Sequence, residues 1–164
     1  MTEKIKELLE KYPFLSWYGN PLYFGYNEEL IDSNYTWENE LPEGWRKAFC
    51  PQIWDELKAI LEKANYVKEF RFDQIKEKYG TLRLYHNGVP ESIYDEVSAW
   101  ESKYEDLSEQ VCIHCGKQAQ YMTPGWISFI CEDCLKEYQG RAIPIEDIDT
   151  FYKDPETYWK NKNN

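Results

Sequence analysis

Residues 111–135 read VCIHCGKQAQYMTPGWISFICEDCL and contain four of the five cysteines of the chain. They follow the pattern C-x2-C-x15-C-x2-C, with the thiols at Cys112, Cys115, Cys131 and Cys134. Each C-x-x-C pair directs two thiolates at one point, and two pairs complete the tetrahedron that Zn²⁺ prefers. The sequence therefore predicts one structural zinc ion held by these four cysteines.

Two other interpretations of the four cysteines are a redox-active C-x-x-C motif and a pair of disulfide bonds. A redox motif needs no second pair, and disulfides need an oxidising compartment. The N-terminal residues MTEKIKELLEKYP lack the apolar block of a signal peptide, so the protein is expected to stay in the compartment where it is made, which favours zinc over disulfides. A zinc ion with four thiolates has no open position, so we expect it to structure the chain rather than activate water. His114 is expected to be an exposed bystander.

The residues between and after the cysteine pairs predict a treble-clef-like zinc ribbon. Gly116 suits the positive φ of a metal knuckle. Residues 120–122 and 126–130 are predicted to be short strands joined by a Thr-Pro-Gly turn at residues 123–125. Residues 132–138 are predicted to form a helix that starts with two acidic residues, which a helix N-terminus favours.

The remainder of the chain predicts an α+β fold. We expect helices over residues 2–11, 51–64 and 92–111, the last carrying a narrow apolar seam on an acidic surface. This seam is interpreted as docking onto the core, with a coiled-coil dimer as the alternative. A β-hairpin is predicted around Tyr79-Gly80, with a bulge near Ile75. Residues 14–45 are predicted to be irregular structure with short strands, and their order without a partner is left open.

The predicted parts group into two domains. Residues 1–110 form an α+β domain with the aromatic-rich loop region and the acidic helix, in which helices pack on a small antiparallel hairpin. Residues 111–164 form the zinc-binding module and a polar C-terminal tail.

The charge of the chain restricts its partners. Thirty acidic residues against 19 basic residues give a formal net charge of −11. Such a surface repels a polyanion, so nucleic-acid binding is disfavoured, whereas a basic protein is a suitable partner. The acidic surface is equally explained by solubility alone. No apolar run is long enough for a membrane span.

A search for catalytic motifs does not predict an enzyme. The chain has two histidines and none of the nucleophile-elbow, phosphate-loop or dinucleotide-binding motifs. Carboxylates are the remaining candidates for acid–base chemistry, but in so acidic a chain neighbouring acids arise by chance. We therefore expect a non-enzymatic role.

Two surface patches are candidate binding sites. In the first, Lys76, Lys78 and Arg83 surround Tyr79 at the hairpin turn, where they suit a phosphate or carboxylate. The alternative is a solvated hairpin edge protected by lysines. The second patch contains the zinc-module aromatics Tyr121, Trp126 and Phe129. These aromatics are expected either to stack on nucleic-acid bases or to pack the module onto the main domain.

Several of these segments together resemble a family of small uncharacterised phage and prophage proteins. The segment QIKEKYGTLRLY at residues 74–85 resembles the IKEKFGGLRFY-like segment of that family, and a CxxCG…GW…C zinc module follows it in both. The Lys11-Tyr12-Pro13 and Gly44-Trp45 positions also match, so the similarity covers most of the chain. Tyr79 stands for a more usual Phe, and Thr81 for a second Gly.

The resemblance implies a mobile-element origin and a bacterial cytoplasm, but no particular activity. By analogy it favours a phage-type accessory protein that binds a host or phage protein, such as a defence or regulatory factor. The alternatives are a nucleic-acid-binding zinc ribbon and a binder of a small anionic ligand at the Lys76/Lys78/Arg83 hairpin.

Overall fold

A computed structural model describes residues 2–18, 32, 34–138 and 140–162. It confirms the α+β class, with seven α-helices and two antiparallel sheets in these residues. The elements are α1 (Glu3–Lys11), α2 (Glu43–Phe49), α3 (Gln52–Lys63), β1 (Phe72–Lys78), β2 (Thr81–His86), α4 (Glu91–Ser108), β3 (Tyr121–Thr123), β4 (Ser128–Ile130), α5 (Glu132–Leu135), β5 (Ile143–Pro144), α6 (Ile148–Lys153) and α7 (Pro155–Lys162). Short 3₁₀ helices span Pro13–Leu15, Trp37–Glu40 and Ile145–Asp147.

The helices predicted over residues 2–11, 51–64 and 92–111 are confirmed as α1, α3 and α4, with small differences at their ends. Thr2 caps α1 by accepting the backbone N–H of Ile5. The apolar seam of α4 is buried in the main core, where the Trp100 indole N–H donates to the carbonyl of Ile53 at 3.0 Å. The seam is therefore covered within the chain, and the coiled-coil alternative is wrong.

Strands β1 and β2 form the predicted hairpin. Tyr79 and Gly80 both have positive φ, 55° and 81°, which identifies the type I′ turn whose twist suits a hairpin. The bulge lies between Phe72 and Gln74, two residues before the predicted position. It returns Ile75 to the buried face that Phe72 occupies, which explains the break in alternation.

The main core lies between this hairpin and the helices α2, α3 and α4. It is rich in aromatic side chains that meet edge to face, as Phe14 does with Phe70 and Phe72. Such geometry adds about 0.5–1.5 kcal/mol per pair to the effect of burial. Ten of the aromatic residues that the structure describes are therefore buried in this core.

A buried hydroxyl joins the hairpin to α4. The Ser108 side chain is fully buried, accepts the Leu82 N–H at 2.9 Å and donates to the carbonyl of Glu105.

Ser108→Ala is expected to lower the free energy of unfolding by about 1–3 kcal/mol, because the Leu82 N–H loses its partner. Urea unfolding measures the change. Ser102→Ala, on the exposed face of α4, is the control and should stay within about 0.5 kcal/mol of the wild type. Equal effects would contradict the prediction.

The segment predicted as irregular is partly helical. Residues 19–31 and 33 lie outside the described residues. Between Pro42 and Pro51, however, the structure has the helix α2, which the sequence analysis did not predict. Trp45 and Phe49, one turn apart on α2, are both buried in the main core. Tertiary burial stabilises a helix too short to form alone.

The C-terminal part contains a three-stranded sheet in the order β4-β3-β5 and the helices α6 and α7. The sequence analysis did not predict α6 or α7 and assigned a polar tail to the C-terminus. Phe151 of α6 and Tyr158 of α7 pack with Met122, Phe129 and Ile143 into a small C-terminal core. The tail is therefore helical as far as Lys162, with Tyr158 as its last buried residue, and the last two residues lie outside the described ones. No helix in the described part of the chain combines the length and the apolar character that crossing a bilayer needs.

Candidate metal centre

The four predicted cysteines come together at one point. Their sulfur atoms all lie within 4.8 Å of one another, and the Sγ atoms of Cys115 and Cys131 are 3.5 Å apart. A tetrahedral ion with metal–sulfur bonds of about 2.3 Å requires sulfur atoms about 3.8 Å apart. All four cysteines are free of disulfide bonds. The cluster could therefore hold one metal ion, and the two-disulfide interpretation does not describe this fold.

The first pair is shaped by a tight backbone knuckle. The Cys112 N–H donates to the carbonyl of Lys117 at 2.7 Å, and the Gly116 N–H donates back to the carbonyl of Cys112 at 3.0 Å. Gly116 has a φ of 83°, as the sequence predicts, and this conformation costs glycine little.

The second pair lies at the start of α5. Cys131 is the residue before the helix, and Cys134 is in its only turn. This helix ends at Leu135, earlier than predicted. A salt bridge of 2.8 Å between Lys117 and Asp133 joins the two pairs on the outside, and Lys117 holds the pKa of the Asp133 carboxyl below its usual range.

The surroundings of the four thiols shift the pKa values of Cys112 and Cys134 in opposite directions. Burial opposes ionisation of Cys112, but backbone N–H groups of Cys131 and Cys115 donate to its sulfur, and its pKa falls to about 7. Burial and the neighbouring sulfur atoms raise the pKa of Cys134. Cys112 therefore loses its proton more easily than Cys134 does, and metal binding favours the thiolate form of a ligand. The imidazole of His114 is exposed and lies outside this ligand set.

The first cysteine pair contacts the main domain at two glycines, Gly44 and Gly116. The Gly44 N–H, in α2, donates to the carbonyl of Ile113 at 2.9 Å. A Cβ atom at Gly44 would lie 2.0 Å from the carbonyl oxygen of Cys112, and one at Gly116 would lie 2.8 Å from the oxygen of Gly44. The backbones of α2 and the first knuckle are therefore in direct contact. Sequence reasoning noticed both glycines but had no signal that they meet.

The hairpin turn makes a second contact with the C-terminal module that contains the four cysteines. A Cβ atom at Gly80 would lie 3.0 Å from Ile127 Cγ2 and from a ring carbon of Phe129. These two residues belong to the β3–β4 hairpin and the turn that joins its strands. The module is thus held against the main domain at Gly44 and at Gly80.

The residues of the predicted hairpin patch do not all lie at one site in the structure. Arg83 forms an ion pair with Glu105 of α4. Lys76 lies over the ring of Tyr85, with its nitrogen 5.3 Å from the ring centre. Lys78 and Tyr79 instead line a cavity of about 260 Å³ with Trp126. Three of the five proposed binding residues are therefore together, and two are elsewhere.

This cavity, which we call the Tyr79–Trp126 pocket, lies between the hairpin turn and the β3–β4 turn. Glu77, Gly125 and Ile127 complete its lining. Trp126 is 82% exposed and Tyr79 is 69% exposed, the two highest values among the large exposed hydrophobic side chains described. Trp126 is in the turn rather than in β4 as predicted, because the Thr123 hydroxyl donates to its carbonyl at 2.8 Å and accepts the Ser128 N–H at 2.9 Å.

Comparisons with protein-family models, with curated proteins and with solved structures gave no match. The resemblance to phage and prophage proteins therefore stays a prediction, and functional inference rests on the sites described above.

Proposed function

We propose that the chain is a non-enzymatic, phage-type accessory protein of the bacterial cytoplasm that binds a host or phage protein, with one structural Zn²⁺. The observation that carries the proposal is the Tyr79–Trp126 pocket. Two exposed aromatic side chains flank a cavity whose walls come from two parts of the chain. Tyr and Trp are enriched among the residues that dominate binding energy in protein interfaces.

The metal has a supporting role in this proposal. The order of the elements, a knuckle, the β3–β4 hairpin and then α5 with two thiols at its start, supports assignment as a treble-clef-like zinc ribbon. Four thiolates around Zn²⁺ leave no position for water or substrate. Zinc then fixes the turn that carries Trp126 beside the turn that carries Tyr79.

The pocket suits a protein better than a nucleic acid or a small anion. Arg83, one of the three cations expected to bind an anion, is already paired with Glu105. Lys78 is accompanied by Glu77 in the pocket lining, so the site has little net positive charge. Binding of a phosphate backbone depends on clustered unpaired cations.

The proposal predicts that the two exposed aromatic side chains are required for partner binding. Tyr79→Asn combined with Trp126→Ser is expected to weaken binding by at least about 30-fold, since the loss of one interface anchor alone costs about 2 kcal/mol or more. Asn-Gly is the favoured type I′ pair, so the first change preserves the hairpin turn. Affinity capture from host lysate with metal-loaded protein, followed by titration of the captured protein, measures the effect.

The matched control is Tyr94→Gln, which removes an exposed tyrosine from α4 outside the pocket. It is expected to leave binding unchanged. Failure of the folded protein to capture any stoichiometric protein, or equal capture by the double variant, would overturn the proposal. Loss of the captured material on nuclease treatment would instead support the nucleic-acid alternative.

A further inference from the structure

A larger groove adjoins the Tyr79–Trp126 pocket and shares Tyr79 with it. The groove has a volume of about 900 Å³ and lies between the C-terminal end of α4, the hairpin turn and the C-terminal core. Its apolar surface includes Met122, Phe129, Ile145 and Ile148. Sequence reasoning missed it because its walls come from separate segments spread between residues 79 and 152.

The charged residues that line this groove all have the same sign. Asp106 and Glu109 of α4 are on one side, and Glu146 is on the other. No lysine or arginine is among its described lining residues. The three carboxylates are exposed, and none pairs with a cation in the described part of the chain. We call this surface the acidic groove.

The acidic residues at the C-terminal end of α4 have an unfavourable interaction with the helix dipole. Asp106 and Glu109 are at the C-terminal end of α4, where the helix dipole is negative, and the last turn has no basic residue. Acidic side chains there destabilise a helix, so helix stability does not account for them. A cationic group bound in the groove would be attracted by both the carboxylates and the helix end.

We propose that the acidic groove binds a basic amphipathic segment of a partner protein, with its apolar side chains on the groove floor and its lysines or arginines at the carboxylates. This inference rests on the proposed protein-binding function and names the chemistry of the partner. A second copy of the chain is a poor occupant, since each copy has a net charge of −11. The neighbouring Tyr79 joins the groove to the aromatic pocket, so one segment can contact both.

Selection from a random displayed peptide library on the metal-loaded full chain tests this inference. The expected result is enrichment of lysine or arginine interleaved with leucine, isoleucine, phenylalanine or methionine. The selected peptides should bind the Asp106→Asn, Glu109→Gln, Glu146→Gln variant about tenfold more weakly at physiological salt, as expected for the loss of three exposed ion pairs. Replacing the apolar residues of a selected peptide by serine should also weaken binding.

The control variant is Glu10→Gln, Glu69→Gln, Asp95→Asn, which removes three exposed carboxylates away from the groove. It should change peptide affinity less than about twofold, because the net charge change is the same and only the position differs. In thermal unfolding, Asp106→Asn and Glu109→Gln should not lower the melting temperature, which separates lost binding from lost folding. Enrichment of acidic or uncharged peptides, equal weakening by both variants, or no enrichment would overturn the inference.

The two proposals fail in different ways. If basic peptides bind the groove but no partner is captured through Tyr79 and Trp126, the groove inference stands and the proposed function falls. If a partner is captured through the aromatic side chains but the selected peptides are not basic, only the groove inference falls.

Discussion

Loss of metal from the four-cysteine cluster is expected to unfold residues 111–138 and 140–162, while residues 2–18 and 34–108 keep their fold. The C-terminal core buries six hydrophobic side chains and the cluster around the thiols three, against nineteen in the main core, counting described residues only. So small a core does not sustain about 50 residues without a metal or disulfides. In zinc-finger peptides the metal supplies about 10–16 kcal/mol, and most of that is folding free energy.

The measurement is limited proteolysis and amide hydrogen exchange after treatment with a strong chelator. Protection should disappear from residues 111–162 and return when one equivalent of Zn²⁺ is added. Cys131→Ser should reproduce the effect without a chelator, because it removes one of the four thiolates. Cys50→Ser is the matched control, since this half-buried cysteine is outside the metal cluster. Full protection of residues 111–162 in the metal-free protein would show that the thiols are not the structural support of this segment.

Local sequence patterns predicted the parts of the fold that depend on nearby residues. The cysteine spacing identified the metal cluster because each pair forms its own knuckle. The seam of α4 was visible because its apolar residues recur at helical spacing over eighteen residues. The hairpin turn was predicted at Tyr79-Gly80 because these residues lie between two segments of alternating apolar residues, and in the structure both have the positive φ of a type I′ turn.

The parts that failed are those stabilised by residues far along the chain. Helix α2 has seven residues and lies between two prolines, so only its buried Trp45 and Phe49 make it stable. The helices α6 and α7 depend in the same way on Phe151 and Tyr158. Short helices have too little propensity to be recognised without their tertiary contacts.

For the candidate binding surfaces, too, local patterns predicted individual residues but not the contacts between residues far apart along the chain. The sequence indicated Tyr79 and Trp126 separately, as a hairpin patch and a zinc-module aromatic. Their common pocket depends on how the module docks at Gly44 and Gly80, which no local pattern encodes. Arg83 was assigned to the hairpin patch because its partner Glu105 is on α4, more than twenty residues away.

Gly44→Ala is expected to destabilise the protein by about 3 kcal/mol or more and to separate the C-terminal module that contains the four cysteines from α2. The new Cβ atom would lie 2.0 Å from the Cys112 oxygen and 2.5 Å from the carbonyl carbon of Ile113. Both contacts are with backbone atoms, which no change of rotamer can relieve. Overpacking of this kind costs about 1–3 kcal/mol when the surroundings yield, and more when they do not. The hydrogen bond from Gly44 to Ile113 is lost as the backbones separate.

Helix propensity alone predicts that Gly44→Ala stabilises the protein, so the sign of the measured change distinguishes the two effects. Gly44 is inside α2 and does not have a positive φ, so alanine there should stabilise an isolated helix by about 1 kcal/mol. Chemical unfolding of the metal-loaded protein measures which effect is larger. Gly88→Ala is the control, since no atom lies within 4 Å of its new Cβ and only the strain of a φ of 94° is added. Because all four thiols remain in Gly44→Ala, it should still bind one metal ion, while the backbone amide at position 44, which donates to the carbonyl of Ile113, loses its protection from hydrogen exchange. A Gly44→Ala protein as stable as the wild type would mean that the module does not dock on α2 through this glycine.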